Sequence, residues 1–375
     1  MLIQNRLGAL ACYPTVFAVG NEYQIFTLFE KQAIVSAQIG NAVYFDDDNG
    51  ILRSGSKVHK IHVPMKELNE HKTYTIVYRI MTDRKPYFPE SEDEQRIEFQ
   101  FHPVNNGEKN IYLLSDAHNL EFEPIQAGSY FGDKLDLLVL NGDIPNHSGD
   151  IENFNSIYRI AGAITKGACA CVFARGNHDT RGIHAEDFSQ YTPVCYGRTY
   201  YTFRLADLWG LVLDCGEDKD DDCDEYGHTV CFHNFRQKET QYIESLVRNA
   251  QNEYEADGVN NRIVICHIPF TKEFKPPFNI EKELYSHWCK VLRDNIKPQL
   301  LLFGHQHCAR FCPVGDDWDQ LGQPCPAVVA GWPIRGKDEE PNKYSGAAIV
   351  MNERTAHIIF NTNEKEVLGE FFTEI

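Results

Sequence analysis

Five short apolar runs between residues 111 and 303 each end in a cluster of polar residues, and this pattern constrains the fold more than any other feature. The runs cover residues 111–114, 135–140, 169–174, 263–266 and 300–303. The clusters that follow them are Asp116-Ala117-His118, Gly142-Asp143, Gly176-Asn177-His178-Asp179, His267 and Gly304-His305-Gln306-His307. Such runs are typical of buried strands in α/β sheets, where ligands bind beyond the carboxyl ends of the strands. We therefore expect the five clusters to converge on one site.

The converging side chains have the chemistry of a metal centre. Seven of them are carboxylate, imidazole or amide groups that can bind a metal ion: Asp116, His118, Asp143, Asn177, His267, His305 and His307. One such cluster alone is weak evidence, because a lone histidine after a strand often makes only structural hydrogen bonds. Five clusters in order, each at the end of a predicted strand, are not explained by core packing or turn formation. The ligand set is suited to Mn, Fe, Zn, Ni or Co.

The rest of the pattern from residue 108 to residue 375 predicts an α/β fold. Segments with helical periodicity lie between the strands, for example at Phe154, Tyr158 and Ala161. Further apolar runs occur at residues 200–205, 211–214, 327–330, 347–351 and 356–360. These runs predict a second sheet beside the first.

The N-terminal part of the chain follows a different pattern. Alternating segments separated by turn residues occur at residues 16–19, 23–28, 33–39, 58–63, 73–80 and 96–101. This pattern is typical of an all-β, immunoglobulin-like sandwich. We therefore predict an accessory domain at residues 1–107 and a second domain, which carries the clusters, at residues 108–375. The accessory domain could line the site, bind a partner or only add stability.

The net charge of -18 argues against a nucleic-acid partner. Asp and Glu outnumber Lys and Arg by 54 to 36 without a compensating basic stripe, so a polyanion would be repelled. The longest apolar stretches are too short to cross a bilayer as a helix. The 12 cysteines, without a secretory signal, are typical of reduced thiols. We expect a cytoplasmic protein that does not contact membranes, and the sequence predicts no particular protein partner.

In this order, the clusters resemble the signature of the calcineurin-like metallophosphoesterase superfamily, which is Asp-x-His, Gly-Asp, Gly-Asn-His-Asp/Glu, His and Gly-His-x-His. The resemblance covers roughly residues 110–361. It implies a four-layer sandwich of two mixed β-sheets flanked by helices. It also implies that one metal ion is held by Asp116, His118 and His307. A second metal ion would be held by Asn177, His267 and His305, with Asp143 as the bridge.

The resemblance also implies a reaction. Two metal ions about 3.5 to 4 Å apart share a hydroxide, lower its pKa and clamp the phosphoryl oxygens during in-line attack. The expected activity is hydrolysis of a phosphomonoester or phosphodiester in a small phosphorylated substrate. We expect His178 to stabilise the phosphoryl group or protonate the leaving oxygen, and Asp179 to orient its ring. The alternatives are a structural loop histidine and a helix N-cap.

Three further residues are candidates for substrate binding. Arg175 and Arg181 flank the Gly-Asn-His-Asp cluster and can reach phosphate oxygens, although surface ion pairs would explain them equally well. Asn146 could line the rim of the site. The acidic segment at residues 214–225 lacks the spacing of an EF-hand and is expected to be a solvated loop, with a lid over the site as a further hypothesis.

Two departures narrow the branch of the superfamily. Purple acid phosphatases carry a tyrosine ligand where this chain has Asn146, and they lack a histidine like His118. Protein serine/threonine phosphatases carry Asp-Arg-Gly after Gly-Asp, where this chain has Asn146, His147 and Ser148. Two other functions stay open. A nuclease of the same fold conflicts with the acidic charge, and a non-catalytic scaffold would be expected to have lost metal ligands.

Overall fold

The computed structural model describes residues 7–334, 336 and 342–375. The strands of this part are β1 (Thr15–Val19), β2 (Glu22–Leu28), β3 (Ala33–Ile39), β4 (Ala42–Phe45), β5 (Asp47–Asp48), β6 (Ile51–Leu52), β7 (Val58–Pro64), β8 (Thr73–Asp83), β9 (Glu90–Ser91), β10 (Gln95–Gln100), β11 (Lys109–Leu114), β12 (Leu137–Asn141), β13 (Ala170–Ala174), β14 (Tyr201–Leu205), β15 (Leu208–Val212), β16 (Asn261–Ile265), β17 (Leu300–Phe303), β18 (Arg310–Cys312), β19 (Ala327–Val329), β20 (Trp332–Ile334), β21 (Lys343–Met351), β22 (Thr355–Thr362) and β23 (Val367–Glu374). The α-helices are α1 (Met65–His71), α2 (Phe122–Gly128), α3 (Asn155–Thr165), α4 (Phe188–Tyr191), α5 (Phe232–Arg248) and α6 (Lys282–Val291).

Two mixed sheets form the centre of the molecule. The larger sheet has the order β23-β22-β21-β11-β12-β13-β1-β2-β7, with β20 paired to β21. Its central strands β11, β12, β13 and β1 run parallel to one another. The smaller sheet has the order β14-β15-β16-β17-β19-β18, and its strands from β15 to β19 along this order are parallel.

Alternation of side chains along the strands explains why the two sheets stack. Ile111 and Leu113 of β11 belong to a core that also contains Ile263 and Leu300 of the smaller sheet. Tyr112 and Leu114 of β11 instead join the core beneath α3. The other face of the smaller sheet packs against α5 and α6. The layers are therefore helix, sheet, sheet and helix, which confirms the predicted four-layer α/β fold.

The N-terminal part is rich in β-strands, as predicted, but its strands divide between two sheets. Strands β3, β4, β8, β9 and β10 form an antiparallel sheet of their own. Strands β1, β2 and β7 instead extend the larger sheet, because β1 pairs with β13 through Val16 with Ala170 and Phe17 with Cys171. The division at residue 107 stays a prediction, and continuous hydrogen bonding crosses it.

Two further observations bear on the environment of the protein. No helix in the described ranges is sufficiently long and apolar to cross a lipid bilayer. The cysteines are all free thiols.

Candidate metal centre

The five polar clusters meet at one edge of the stacked sheets. Asp116 follows β11, Asp143 follows β12 and Asn177 follows β13. His267 follows β16 and His305 follows β17 in the smaller sheet. Because the strands that carry them are parallel within each sheet, their carboxyl ends lie on one side. The sequence predicted this convergence.

The residues of the clusters hold an uncommon backbone conformation. Asp116, His118, Asp143, His305 and His307 have φ values of 56°, 46°, 53°, 66° and 44°. This left-handed region costs about 1 kcal/mol or more for a residue with a side chain, so it is usually confined to turns and functional sites. Here it turns five side chains toward a single pocket.

Two glycines allow other loops to approach Asp116. A Cβ atom at Gly304 would lie 1.9 Å from Oγ of Ser115, and one at Gly331 would lie 2.5 Å from the carbonyl oxygen of Ser115. Ser115 in turn donates a hydrogen bond of 2.6 Å to Oδ2 of Asp116. A larger residue at either glycine would displace Ser115 and with it the carboxylate.

Asp116, His118 and His307 form the first group of ligand atoms. Nε2 of His307 lies 3.3 Å and Nε2 of His118 lies 4.0 Å from Oδ1 of Asp116, and the two nitrogens are 3.1 Å apart. Oδ1 of Asp116 is buried without a well-formed hydrogen bond. A carboxylate oxygen in this state, facing two imidazole nitrogens, fits a site built to hold a cation.

Asp143, His267, His305 and Asn177 form the second group. Nε2 of His267 lies 3.2 Å from Oδ2 of Asp143, and Nδ1 of His305 lies 3.0 Å from Oδ1 of Asn177. Nδ1 of His267 is hydrogen-bonded to the carbonyl of Asn141 at 2.7 Å, which leaves Nε2 to face the site. Oδ2 of Asp143 is also 3.9 Å from Nε2 of His118 in the first group. Asp143 therefore contacts ligand atoms of both groups.

Burial and charge set the protonation of these groups. Burial lowers the pKa of His118 to about 4. Burial and then repulsion from His267 lower the pKa of His305 to about 4 as well. Burial opposes a charge on His267, but Asp143 and Asp116 raise its pKa to about 10. The neutral rings of His118 and His305 are already in the state that a metal ligand requires.

His178 and Asn146 lie together at the rim of the pocket. The ring of His178 is 4.7 Å from that of His118, and one of its nitrogens groups with ligand atoms of His118 and Asp143. Nδ1 of His178 lies 2.9 Å from the carbonyl oxygen of Asn146, and Asn146 itself is exposed. This half-buried imidazole faces both the ligand groups and the solvent.

Asp179 makes different contacts from those expected. Its Oδ2 accepts hydrogen bonds from the backbone amides of Gly176 at 2.7 Å and Asp143 at 3.2 Å. Burial, and then the charge of Asp143, raise the pKa of Asp179 well above its usual value. Because the ring of His178 is held by the carbonyl of Asn146, the hydrogen bonds of Asp179 support a role in positioning Asp143 rather than in orienting His178.

The two arginines predicted to bind substrate are engaged elsewhere. Nε of Arg175 lies 2.8 Å from Oδ2 of Asp214, and its guanidinium stacks among three phenylalanine rings. Arg181 makes a bidentate pair with Glu217 at 2.8 and 2.9 Å. These geometries do not support substrate binding, because both guanidinium groups already bind carboxylates.

The acidic segment at residues 214–225 is not a simple solvated loop. Residues 214–218 are buried, and Asp214 follows β15 of the smaller sheet, so the segment begins with a sixth polar cluster at a strand end. Oδ2 of Asp218 lies 3.9 Å from Nε2 of His305. Sequence reasoning missed Asp218, although its position shortly after an apolar run was the available signal.

Lys272 was also missed. Its Nζ lies 3.3 Å from Oε1 of Gln306, the residue between His305 and His307. It also lies 3.8 Å from the ring centroid of Trp318. No carboxylate of the described residues is within 4.0 Å of this ammonium group. It is a cation beside the pocket that pairs with no carboxylate in the described part of the chain.

Comparisons with known proteins agree with this geometry. A family model described as calcineurin-like phosphoesterase matches residues 109–309. A purple acid phosphatase from yellow lupin (Lupinus luteus) seeds is similar in structure, with a TM-score of 0.60 and 12% identity over 96% of this chain and 74% of that chain. PhoD is also similar, with a TM-score of 0.55 and 11% identity over 97% of this chain and 90% of that chain. At these identities the likeness is one of fold. A search of curated protein sequences gave no match.

Proposed function

Because this chain belongs to the calcineurin-like phosphoesterase family, we propose that it is a binuclear metallophosphoesterase that hydrolyses phosphomonoesters or phosphodiesters of small molecules. One observation carries the proposal. Ligand atoms of Asp116, His118 and His307 form one close group, those of Asp143, His267 and His305 form a second, and Asp143 also groups with His118. Asn177 joins the second group through its contact with His305.

The donor set supports two transition-metal ions, with Mn, Fe, Zn, Ni and Co all compatible. When bound, such ions supply a hydroxide near neutral pH and positive charge that stabilises the phosphoryl oxygens. The protein's part is to fix the ligands. Oδ1 of Asp143 accepts the backbone amide of His178 at 2.8 Å, so its Oδ2 stays turned toward the imidazoles. The carbonyl of Asn141 fixes the ring of His267 in the same way.

We assign the role of general acid to His178. Its Nδ1 is held by the carbonyl of Asn146, and that contact requires a proton on Nδ1. A second proton on Nε2 then makes the ring a donor toward the substrate side, where it can stabilise the phosphoryl group or protonate the leaving oxygen. Asp179 supports this arrangement indirectly, through the loop amides of Gly176 and Asp143.

For substrate binding, we propose Asn146 and Lys272. Asn146 lies at the rim beside His178, and Lys272 lies beside Gln306 with its charge unpaired by any described carboxylate. Phe274 lies between this lysine and the site, because its ring is 5.0 Å from Nζ of Lys272 and 6.2 Å from the ring of His305. An ester with an apolar group next to the phosphate fits these walls.

A nuclease of the same fold is the alternative that the chemistry allows. The net charge of -18 disfavours it, because binding to a nucleic acid needs clustered positive charge. A steep fall of oligonucleotide affinity with added salt would favour the nuclease. A non-catalytic scaffold is disfavoured by the complete set of ligands. A cytoplasmic location is part of the proposal, supported by the free cysteines.

The decisive experiment combines metal analysis of the purified protein with a panel of phosphomonoesters and phosphodiesters. We expect two bound transition-metal ions per chain and turnover of at least one class. Asp143→Asn should reduce turnover by at least about a hundredfold, because Asp143 contacts both groups of ligands and a neutral amide would hold cations less tightly than its carboxylate. Asp133→Asn, at an exposed position that pairs with Lys166 among the described residues, is the matched control. Turnover of the Asp143 variant equal to that of the wild type would contradict the proposal.

A further inference from the structure

A large cleft lies away from the metal centre, where the N-terminal strands meet the smaller sheet. Its volume is about 1080 Å³, which is slightly above the range of about 300 to 1,000 Å³ that is usual for sites of small organic ligands. Residues of β2 and β7 line one side, and residues of β14, β15 and α5 line the other. None of the proposed metal ligands takes part in this lining.

Three cations line the cleft without an acidic partner among the residues that the structure describes. They are Lys60 of β7, Arg198 in the loop before β14, and Arg204 within β14, and all three are half-buried. No carboxylate of the described residues lies within 4.0 Å of any of them. Their hydrogen bonds go to backbone carbonyls, namely those of Ser189, Thr192, Cys195, Ala206 and Asp257.

The two glutamates of the cleft do not neutralise these charges directly. Glu22 binds His62 at 2.7 Å and Gln24 at 2.8 Å. Glu253 accepts a hydrogen bond of 3.0 Å from the indole of Trp209. In a chain with a net charge of -18, three half-buried cations without ion pairs are unusual, because a partly desolvated charge is unfavourable unless it has a counter-charge.

Aromatic rings hold the central cation in a fixed orientation. The guanidinium of Arg198 lies 4.7 Å from the ring centroid of Tyr242 and 5.7 Å from that of Tyr200. A stacked guanidinium keeps its N–H edge available, and that edge matches the two oxygens of a phosphate or carboxylate. Tyr44 and Tyr196 also line the cleft, and Tyr196 is 95% exposed.

The neighbouring surface limits where an anion can bind. A second cavity, of about 820 Å³, shares Tyr44, Lys60, His62 and Ser189 with the cleft. It is lined by the three carboxylates of residues 46–48 and by one further cation, Arg53, which pairs with Asp46 at 3.7 Å. These acids repel an anion from that end. The anionic groups of a ligand would therefore lie within the cleft, near Lys60, Arg198 and Arg204, rather than in the second cavity.

We propose that this cleft binds a small organic anion, whose phosphate or carboxylate oxygens pair with Lys60, Arg198 and Arg204 and whose apolar part packs against Tyr44 and Tyr196. The site is separate from the metal centre. It would therefore bind its ligand whether or not that ligand is hydrolysed.

Pyrene-1,3,6,8-tetrasulfonate is a suitable probe, because it is planar, polyanionic and fluorescent, and its sulfonates are weak metal ligands. We expect its fluorescence anisotropy to rise on binding to the wild-type protein at low salt. Lys60→Met and Arg198→Met should each weaken binding of the probe by about tenfold. This is the change in affinity expected from the loss of one charge-assisted hydrogen bond. Lys238→Met, which removes an exposed charge on the helix of Tyr242, should not change it.

Competition identifies the chemical group, because pyrophosphate and benzene-1,3,5-tricarboxylate carry the two types of oxyanion. Displacement of the probe by either one supports the proposal, and displacement by neither overturns it. Equal binding by the wild-type protein and the Lys60→Met, Arg198→Met double variant also overturns it. Hydrolysis of an aryl phosphate is measured in parallel and should be unchanged in these variants. Loss of all hydrolysis with normal probe binding would refute only the proposed function.

Discussion

Replacing Gly331 by alanine tests how closely the polypeptide must approach Asp116. The new Cβ atom would lie 2.5 Å from the carbonyl oxygen of Ser115 and 2.7 Å from Oδ2 of Asp116, and the φ of +99° already favours glycine. We expect metal affinity to fall by at least about tenfold. Metal analysis after dialysis measures this loss.

Gly315→Ala is the matched control for that substitution. Gly315 also has a positive φ, of +85°, but no atom lies within 4 Å of the position that its Cβ would take. Both variants should lose about 1 kcal/mol of stability from backbone strain, and only the Gly331 variant should lose metal. Equal metal content in the two variants would show that the close contact with Asp116 is unimportant.

Glu239 provides a test of pH dependence. It is fully buried, and burial followed by the charge of Asp214 raises its pKa well above the usual value. Because the folded pKa exceeds the unfolded one, stabilisation by the protonated form is complete below about pH 4.3 and is lost as the pH rises through the folded pKa. In the wild type, Oε1 of Glu239 accepts a hydrogen bond of 2.8 Å from the backbone amide of Asp214. In a Glu239→Gln variant, the glutamine can still accept that hydrogen bond, but it does not ionise, so its contribution to stability does not fall as the pH rises.

The variant should therefore gain free energy of unfolding relative to the wild type as the pH rises from about 4.3 toward the raised pKa. Urea denaturation at a series of pH values measures the difference. Two parallel pH profiles would mean that Glu239 is ionised in the folded protein.

Single residues also show what the sequence can and cannot predict. The positions of the metal-ligand candidates were predictable, because each one follows an apolar run and parallel strands end on the same side. The ion pairs of Arg175 with Asp214 and of Arg181 with Glu217 were not predictable. Both carboxylates lie in a segment distant in sequence, and the path of that segment depends on tertiary packing. Lys272 was missed because it belongs to no motif.

At the scale of elements, the pair between Arg181 and Glu217 joins two loops beside the metal centre. Arg181 follows the short 3-10 helix His178–Thr180, and Glu217 is only 1% exposed within the acidic segment. Thr180 adds a hydrogen bond of 2.8 Å to the same carboxylate. This connection holds Asp218 beside His305, so the segment acts as a wall of the pocket.

Arg181→Gln should leave Glu217 buried without a charged partner. We expect a loss of about 2 to 4 kcal/mol in the free energy of unfolding and faster proteolysis within residues 218–231. Arg181→Lys should rescue only part of the loss, because an ammonium group cannot form the bidentate pair. The exposed pair of Arg159 with Glu121 is the control, and Arg159→Gln should change stability by less than about 1 kcal/mol.

The strands themselves were largely predictable, because periodicity reports burial on one or both faces. Their pairing was not. The sequence of β1 does not indicate that β13 is its neighbour on one side. Both faces of β1 are buried, and a strand of this kind fits many positions in a sheet. This is why the N-terminal strands were predicted to form a separate sandwich.

At the scale of the whole molecule, the shared sheet predicts cooperative unfolding. The core between the sheets includes Val16 and Tyr74 from the N-terminal part together with Val172 and Ile265. The hydroxyl of Tyr74 also donates to the carbonyl of Gly167 at 2.9 Å. We therefore expect calorimetry of the full chain to give one transition, with equal calorimetric and van't Hoff enthalpies.

Deletion of residues 1–107 provides the complementary measurement. It would remove β1 from the edge of β13 and expose apolar residues of the shared core, so we expect a loss of the native fold and aggregation rather than a smaller active enzyme. A stable, fully active fragment, or two separate transitions in the full chain, would instead support independent domains.

The parallel pairing of β1 with β13 also has a consequence during protein synthesis. Val16 leaves the ribosome long before its partner Ala170 has been translated. At about 5 to 20 residues per second, the interval is roughly eight to thirty seconds. Throughout this time one edge of β1 has no native neighbour, although its residues are as apolar as those of the finished core. Strand β1 is thus completed only when the middle of the chain emerges, and until then the nascent protein depends on shielding of that edge.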